Sequence, residues 1–223
     1  MDSSPIRIEA VVSEFFAENA YILWLQGDTR CVVVDPGFSP ELILGLLERE
    51  GLTPDAVLLT HGHSDHIAGN QAVKDRWPDC PLIIGHGDAY KLTDPQGNLS
   101  ANYGIALISP PADQTVREGD SIEFAGIRFS VLETPGHSAG HVVFVYEADG
   151  GPQVLGGDVL FQGSIGRTDF PDGSFDALRD SIHQKLFPLP DSTVVYPGHG
   201  PVTTIGEEKQ SNPFVGRAAG FDL

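Results

Sequence analysis

Apolar residues fall in short blocks separated by glycine, proline and aspartate, and the spacing within each block assigns its element. Ile6 to Val12 and Asn19 to Leu25 read as strands around a polar turn at Glu14 to Glu18, and Cys31 to Val34 as a third ending at Asp35-Pro36-Gly37. Pro40 to Glu50 carries Leu42, Ile43, Leu46 and Leu47 on one face, the pattern of an amphipathic helix stopped by Gly51. Ala56 to Leu59 is a short buried strand, after which Ile67, Val73 and Trp77 follow with helical spacing. Leu82 to Ile84 is a further strand, and Leu92 to Asp113, rich in Pro, Gly and Asn, is a loop of the kind that walls a substrate site. The second half repeats the scheme with strands at Ser121 to Phe124, Ile127 to Leu132, His141 to Tyr146 and Gln153 to Leu155. A helix from Phe175 to Phe187 and a last strand from Thr193 to Tyr196 complete it. Strands followed by a helix in each half predict the α/β class, as an αββα sandwich with two sheets inside and helices outside.

The turns at the strand ends carry the chemistry. Thr60 to Gly69 packs His61, His63, Asp65 and His66 into six residues directly after a buried strand. Histidine is the commonest protein metal ligand, and neither a solvated surface nor a packed core needs imidazoles at that density. His61 and His63 share one side of an extended stretch while Asp65 and His66 open a helix, so the two pairs face two adjacent points and predict two ions. Three more strand-end turns supply further ligands: His137 in Thr134 to His141, Asp158 after Gly156-Gly157, and His199 in Tyr196 to Gly200. His141 at a strand start and His183 in a helix read as structural, and His86 as a helix-cap or pocket-rim residue.

Composition narrows the function. At 223 residues and 40% hydrophobic, the chain reads as one domain over 1–223, with residues 211–223 as a C-terminal tail. A formal net charge of −18 argues against nucleic acid, since phosphate binding requires a basic surface. The acidity fits an ordinary solubilising surface or a high-salt habitat. No apolar run approaches the roughly 20 residues of a membrane span, and the N-terminus lacks a signal-peptide pattern, so the expectation is a cytoplasmic protein, monomer or homodimer. Cys31 and Cys80 lie in no ligand motif and receive no function. On its extended proline segment, Phe214 is expected to fold back over the site as a lid.

The five separated motifs, in this order, resemble the metallo-β-lactamase superfamily from about Arg7 to Phe214. His61, His63, Asp65, His66, His137, Asp158 and His199 match its metal-ligand pattern one by one. Gly157 to Phe161, Gly166 to Pro171, the Pro-Gly-His-Gly turn and Ser211 to Phe214 resemble small bacterial glyoxalase-II-like hydrolases. The resemblance implies one ion at His61, His63 and His137, a second at Asp65, His66 and His199, and Asp158 bridging them. Zinc is the first expectation, with iron or manganese also suited. Asp65 and Asp158 are then the catalytic carboxylates around a bridging hydroxide that attacks a thioester of the hydroxyacylglutathione type. Asp35 would brace the ligand loop, and Arg167 would contact the glutathione moiety or else pair with Asp169 or Asp172. Full-length glyoxalase II has a C-terminal helical domain with further basic glutathione contacts, whereas 24 residues follow His199 here. The Gly-Arg-Thr-Asp-Phe run is shared with persulfide dioxygenases, which leaves a single-Fe(II) dioxygenase as the alternative.

Overall fold

The computed structural model describes residues 5–223. Its first sheet runs, in spatial order, β1 (Ile6–Val12), β2 (Asn19–Leu25), β3 (Arg30–Val34), β4 (Thr53–Leu59), β5 (Leu82–Gly85) and β6 (Gln114–Val116). The first three strands form an antiparallel meander. β3, β4 and β5 are parallel, so the intervening chain crosses over the sheet as α1 (Pro40–Glu50) and then as α2 (Ser64–Ile67) and α3 (Asn70–Arg76). The second sheet is built from β7 (Ser121–Phe124), β8 (Ile127–Glu133), β9 (Val142–Ala148), β10 (Gly151–Gly157), β13 (Val194–Pro197) and β14 (Thr203–Thr204). Between β10 and β13 lie the hairpin β11 (Leu160–Phe161) and β12 (Ser164–Ile165), and α4 (Phe175–Ser181). α5 (Ile205–Ser211) follows β14.

Alternation along the strands decides the layers. Leu23, Val32, Leu58 and Ile83 face Phe129, Val131, Phe144 and Leu155 between the sheets, in a fully buried cluster. Their strand neighbours Ile22, Val33 and Val57 point the other way and pack on Ile43 and Leu47 of α1 and Val73 of α3. On the second sheet Val143, Val154 and Val195 pack on Leu178 of α4 and on Ile182, Leu186 and Ile205. The result is the expected αββα sandwich.

Several local expectations are corrected. The helix after Ser64 is broken at Ala68-Gly69, where the Gly69 N–H donates to Pro36 O at 2.6 Å. A side chain at Gly69 would collide with the carbonyls of Pro36 and Gly37, so close backbone approach overrides the helical spacing. The helix expected from Phe175 to Phe187 is α-helical only to Ser181 and continues as a π-turn over Ile182–Leu186, closed by Phe187 N–H to Ile182 O at 2.8 Å. α5 and the short strands β6, β11, β12 and β14 escaped the sequence pattern, being too short to show a period.

The C-terminal segment is not a lid. Val215 is fully buried in the cluster around α4, and its carbonyl accepts from His183 Nε2 at 2.8 Å. Phe214 is 46% exposed and does not line the cavity described below. Asn212 is buried as well, and its Nδ2 donates to Ser164 O at 3.0 Å and to Glu208 Oε2 at 2.8 Å. Glu208 also accepts from Gly163 N–H and Thr203 Oγ1, so the tail acts by clamping the β11–β12 hairpin. Asn212→Ala is expected to destabilise the fold by about 1–3 kcal/mol, because buried acceptors lose their donor. It should also raise KM without changing metal content. An unchanged KM would assign the clamp to packing alone.

Candidate metal centre

The seven candidate ligands lie at the C-terminal ends of β4, β8, β10 and β13, where a shared sandwich edge gathers residues remote in sequence. Their donor atoms converge in three overlapping groups, each within 4.8 Å: His61, His63 and His137; His61, His66 and Asp158; Asp65, His66 and His199. Asp158 lies between the histidines. Its Oδ1 is 3.4 Å from His66 Nε2, and its Oδ2 is 3.4 Å from His137 Nε2 and 3.6 Å from His199 Nε2.

Hydrogen bonds behind the rings choose the tautomers. His137 Nδ1 donates to Arg167 O at 2.9 Å, and His199 Nδ1 to Phe16 O at 3.1 Å. His66 Nδ1 donates to Asp35 Oδ2 at 3.1 Å. His61 Nδ1 lies 3.1 Å from Thr60 Oγ1, which donates to Asp35 Oδ2 at 2.6 Å, while the Thr60 N–H donates to Asp35 Oδ1 at 2.7 Å. One buried carboxylate, Asp35, thus contacts the His66 ring directly and the His61 ring through Thr60. Each of these rings keeps Nε2 for the centre. His63 presents Nδ1 instead, 2.9 Å from His137 Nε2. Among the described residues, His61 Nε2, His66 Nε2 and Asp158 Oδ1 are buried without a hydrogen-bond partner. Buried polar atoms left unpaired cost free energy, and lone pairs converging on shared points fit divalent ions that would take them. A Cβ on Gly198 would strike Asp158 Oδ1 and His66, so only glycine leaves this cradle open.

Electrostatics agree with a cation site. Burial alone would raise the Asp158 carboxyl, but His66, His137 and His199 outweigh it and hold it far below the usual carboxylate range. Burial, then His66 and His63, push His61 well down, so it stays neutral. For His66 burial opposes protonation, yet Asp158 and Asp65 prevail and raise it well above 6.5. The raised value favours the charged His66 ring in the metal-free protein. That charge stabilises the metal-free fold fully below the unfolded value, and the contribution is lost as pH rises through the raised one. Ligation requires the neutral ring, so zinc binding at pH 7 is expected to release protons and to weaken as pH falls. Calorimetric titrations in buffers of different ionisation enthalpy would show this. Buffer-independent heats would contradict it.

The centre opens into a cavity of about 260 Å³ whose walls include Phe16, Leu99, Tyr103, Phe161, Ile165 and Phe170. Phe170 packs edge-on against His63 and His137, with ring centroids 5.2 and 5.5 Å away. Arg167 reaches the cavity, lies 4.5 Å above the Phe170 ring and makes two 2.9 Å bonds to Asp169, so the surface pairing considered from sequence is what forms. His141 is structural as expected: its Nε2 accepts from the Asp158 N–H at 3.1 Å and its Nδ1 donates to Thr134. His86 is exposed at the start of a 3₁₀ segment, and His183 stacks on Phe187. A wider groove of about 460 Å³, lined by Pro5, Leu25, Ile127 and Tyr146 among others, contains no histidine.

Sequence reasoning missed three groups. Asp88, fully buried, accepts from Gly62 N–H at 2.9 Å, Ser138 Oγ at 2.7 Å and Gly140 N–H at 2.8 Å, binding two ligand loops together. Lys91, also buried, pairs with Asp88 at 3.2 Å and with Asp172 at 2.7 Å. Glu18 is buried, its carboxylate filling the space a side chain on Gly37 would need. Burial, opposed by His66 but aided by Asp35 and Asp65, raises its carboxyl well above the usual range. The one sequence signal was Asp88 directly after Gly85-His86-Gly87, which the surface reading explains equally well.

Known proteins are similar to this chain over most of its length. Bacillus subtilis YqgX, described as a probable metallo-hydrolase, is 40% identical over 207 residues, covering 92% of this chain and 94% of its own. Hydroxyacylglutathione hydrolase GloC of Haemophilus influenzae is 35% identical over 213 residues, covering 94% and 98%. The crystal structure of the B3 metallo-beta-lactamase BLEG-1 superposes with a TM-score of 0.87 at 40% identity, covering 94% of this chain and 99% of that one. The family pattern of the metallo-beta-lactamase superfamily matches residues 14–199, the span that holds every residue of the centre. Sandwich, strand-end ligand turns and sequence agree, and the chain belongs to the metallo-β-lactamase superfamily.

Proposed function

We propose that this metallo-hydrolase holds two divalent ions and cleaves a thioester of the hydroxyacylglutathione type. The observation that carries the reading is Asp158, whose two carboxylate oxygens face different histidines on either side of it. His61, His63 and His137 would hold one ion, and Asp65, His66 and His199 the other, with zinc the first expectation and iron or manganese alternatives. Ions bound there would supply hydroxide at neutral pH and polarise an acyl oxygen. The residues around them do the positioning. Asp65 Oδ2, 3.3 Å from His199 Nε2, faces the cavity and can orient a nucleophilic water. Asp35 holds His66, and the Arg167 carbonyl holds His137, so neither ring turns during the reaction. The Arg167 guanidinium can exchange Asp169 for a substrate carboxylate, since both lie at the surface. Cys31 and Cys80 are buried away from the cavity lining, and neither supplies a nucleophile.

The similarity to GloC supports the thioester, and that to BLEG-1 makes a β-lactam the competing acyl substrate. Metal-loaded protein is expected to hydrolyse S-lactoylglutathione equally under argon and air, faster than a β-lactam. A chelator should abolish turnover, and His199→Ala should lose most of it. Oxygen uptake with glutathione persulfide, together with no thioester turnover in any metal form, would instead establish a single-iron dioxygenase.

A further inference from the structure

The turn between β1 and β2 is strained where it meets the cavity. Phe16 and Ala17 take φ of 64° and 51°, the left-handed region that L-residues disfavour. A bulky side chain there is an outlier that persists only where its surroundings hold it. Ser13 N–H donates to Glu18 O at 2.8 Å, Ser13 Oγ to Phe15 O at 2.8 Å, and His199 Nδ1 to Phe16 O at 3.1 Å. These bonds fix the turn to a candidate ligand and leave the Phe16 ring at the mouth, 45% exposed. Tyr103, 55% exposed, meets it edge to face at 5.2 Å and 69°. Phe38 backs Phe16 at 5.8 Å and Phe15 at 6.1 Å. Two large rings held half in water beside the reacting centre, one on a strained backbone, are not needed for packing.

We propose that Phe16 and Tyr103 form a subsite for a flat aromatic group next to the scissile carbonyl, which makes aryl-bearing hydroxyacyl thioesters the preferred substrates. The inference rests on the thioesterase reading. Both rings line the same small cavity as Asp65 and His199, so a group reaching them sits within a few bonds of the reacting carbon. Among the described residues Arg167 is the one Lys or Arg that lines the cavity, and it is the partner for an anionic thiol part, which leaves the aromatic pair to the acyl part. Edge-to-face and offset contacts with two rings add to the area a phenyl group buries, enough for about tenfold selectivity.

The test compares S-mandeloylglutathione with S-lactoylglutathione on the metal-loaded chain. The mandeloyl substrate is expected to have the higher kcat/KM by about tenfold. Phe16→Ala and Tyr103→Ala should each bring the ratio toward one, and Tyr103→Phe should preserve it. Tyr103 lies on an exposed 3₁₀ turn, so its variants remain informative if Phe16→Ala fails to fold. In parallel, calorimetry should show mandelate binding more tightly than lactate, with the difference lost in Tyr103→Ala. A wild-type ratio of one or less with no mandelate preference, or a ratio unmoved by both alanine variants, overturns the subsite. If neither thioester is turned over, the thioesterase reading fails while the mandelate comparison still decides the subsite.

Discussion

Asp158→Asn is expected to lose bound metal and thioester hydrolysis together. The substitution keeps the shape of the side chain and removes the negative charge that His66, His137 and His199 surround at 3.4 to 3.6 Å. Removing a partner one step behind a metal ligand already costs about 10–100-fold in affinity, so a carboxylate facing both groups should cost on the order of 100-fold or more. His66 would lose the largest of the influences that keep it protonated, and the release of protons on metal binding should shrink as well. Metal per chain measured by emission spectroscopy, alongside kcat/KM, checks both effects. Full occupancy by two ions in the variant would refute the shared-carboxylate arrangement.

Lys91→Met is expected to destabilise the metal-free fold by about 3–5 kcal/mol, the cost of leaving one partner of a buried ion pair alone. Lys91 and Asp88 have side chains 1% and 0% exposed, so water cannot replace the missing ammonium. Asp88 holds Gly62, between His61 and His63, and also Ser138 and Gly140 beside His137. Lys91 extends the same network to Asp172, which accepts from the Ala139 N–H at 3.1 Å. Methionine retains most of the stem's packing, so the loss reads the charge. Urea unfolding of metal-free protein measures it, and a change below about 1 kcal/mol would show that the pair is not desolvated in solution.

What the sequence determined by itself was everything with a local signature. The central strands are short apolar runs buried on both faces, β8 alternates at period two, α1 repeats its apolar face, and the ligand turns follow apolar runs whose ends must reach a common edge. That placed His61, His63, Asp65, His66, His137, Asp158 and His199 in one region, where the structure brings their donor atoms together. Tertiary structure alone decided what depends on meetings between distant segments. Lys91 and Asp172 are 81 residues apart, and nothing near either distinguishes a buried ion pair from two surface charges. A Pro-Phe segment carries no record of its partner, so the sequence alone reads the tail as a lid, whereas the buried Asn212 amide, 48 residues from Ser164, sets where the chain lies. Phe16 looked like part of a polar turn, and its strained backbone is held by His199, 183 residues away. Periodicity encodes which face is buried, since burial acts on each residue separately. Pairing, strain and ring orientation depend on two surfaces at once and exist only after the chain has folded.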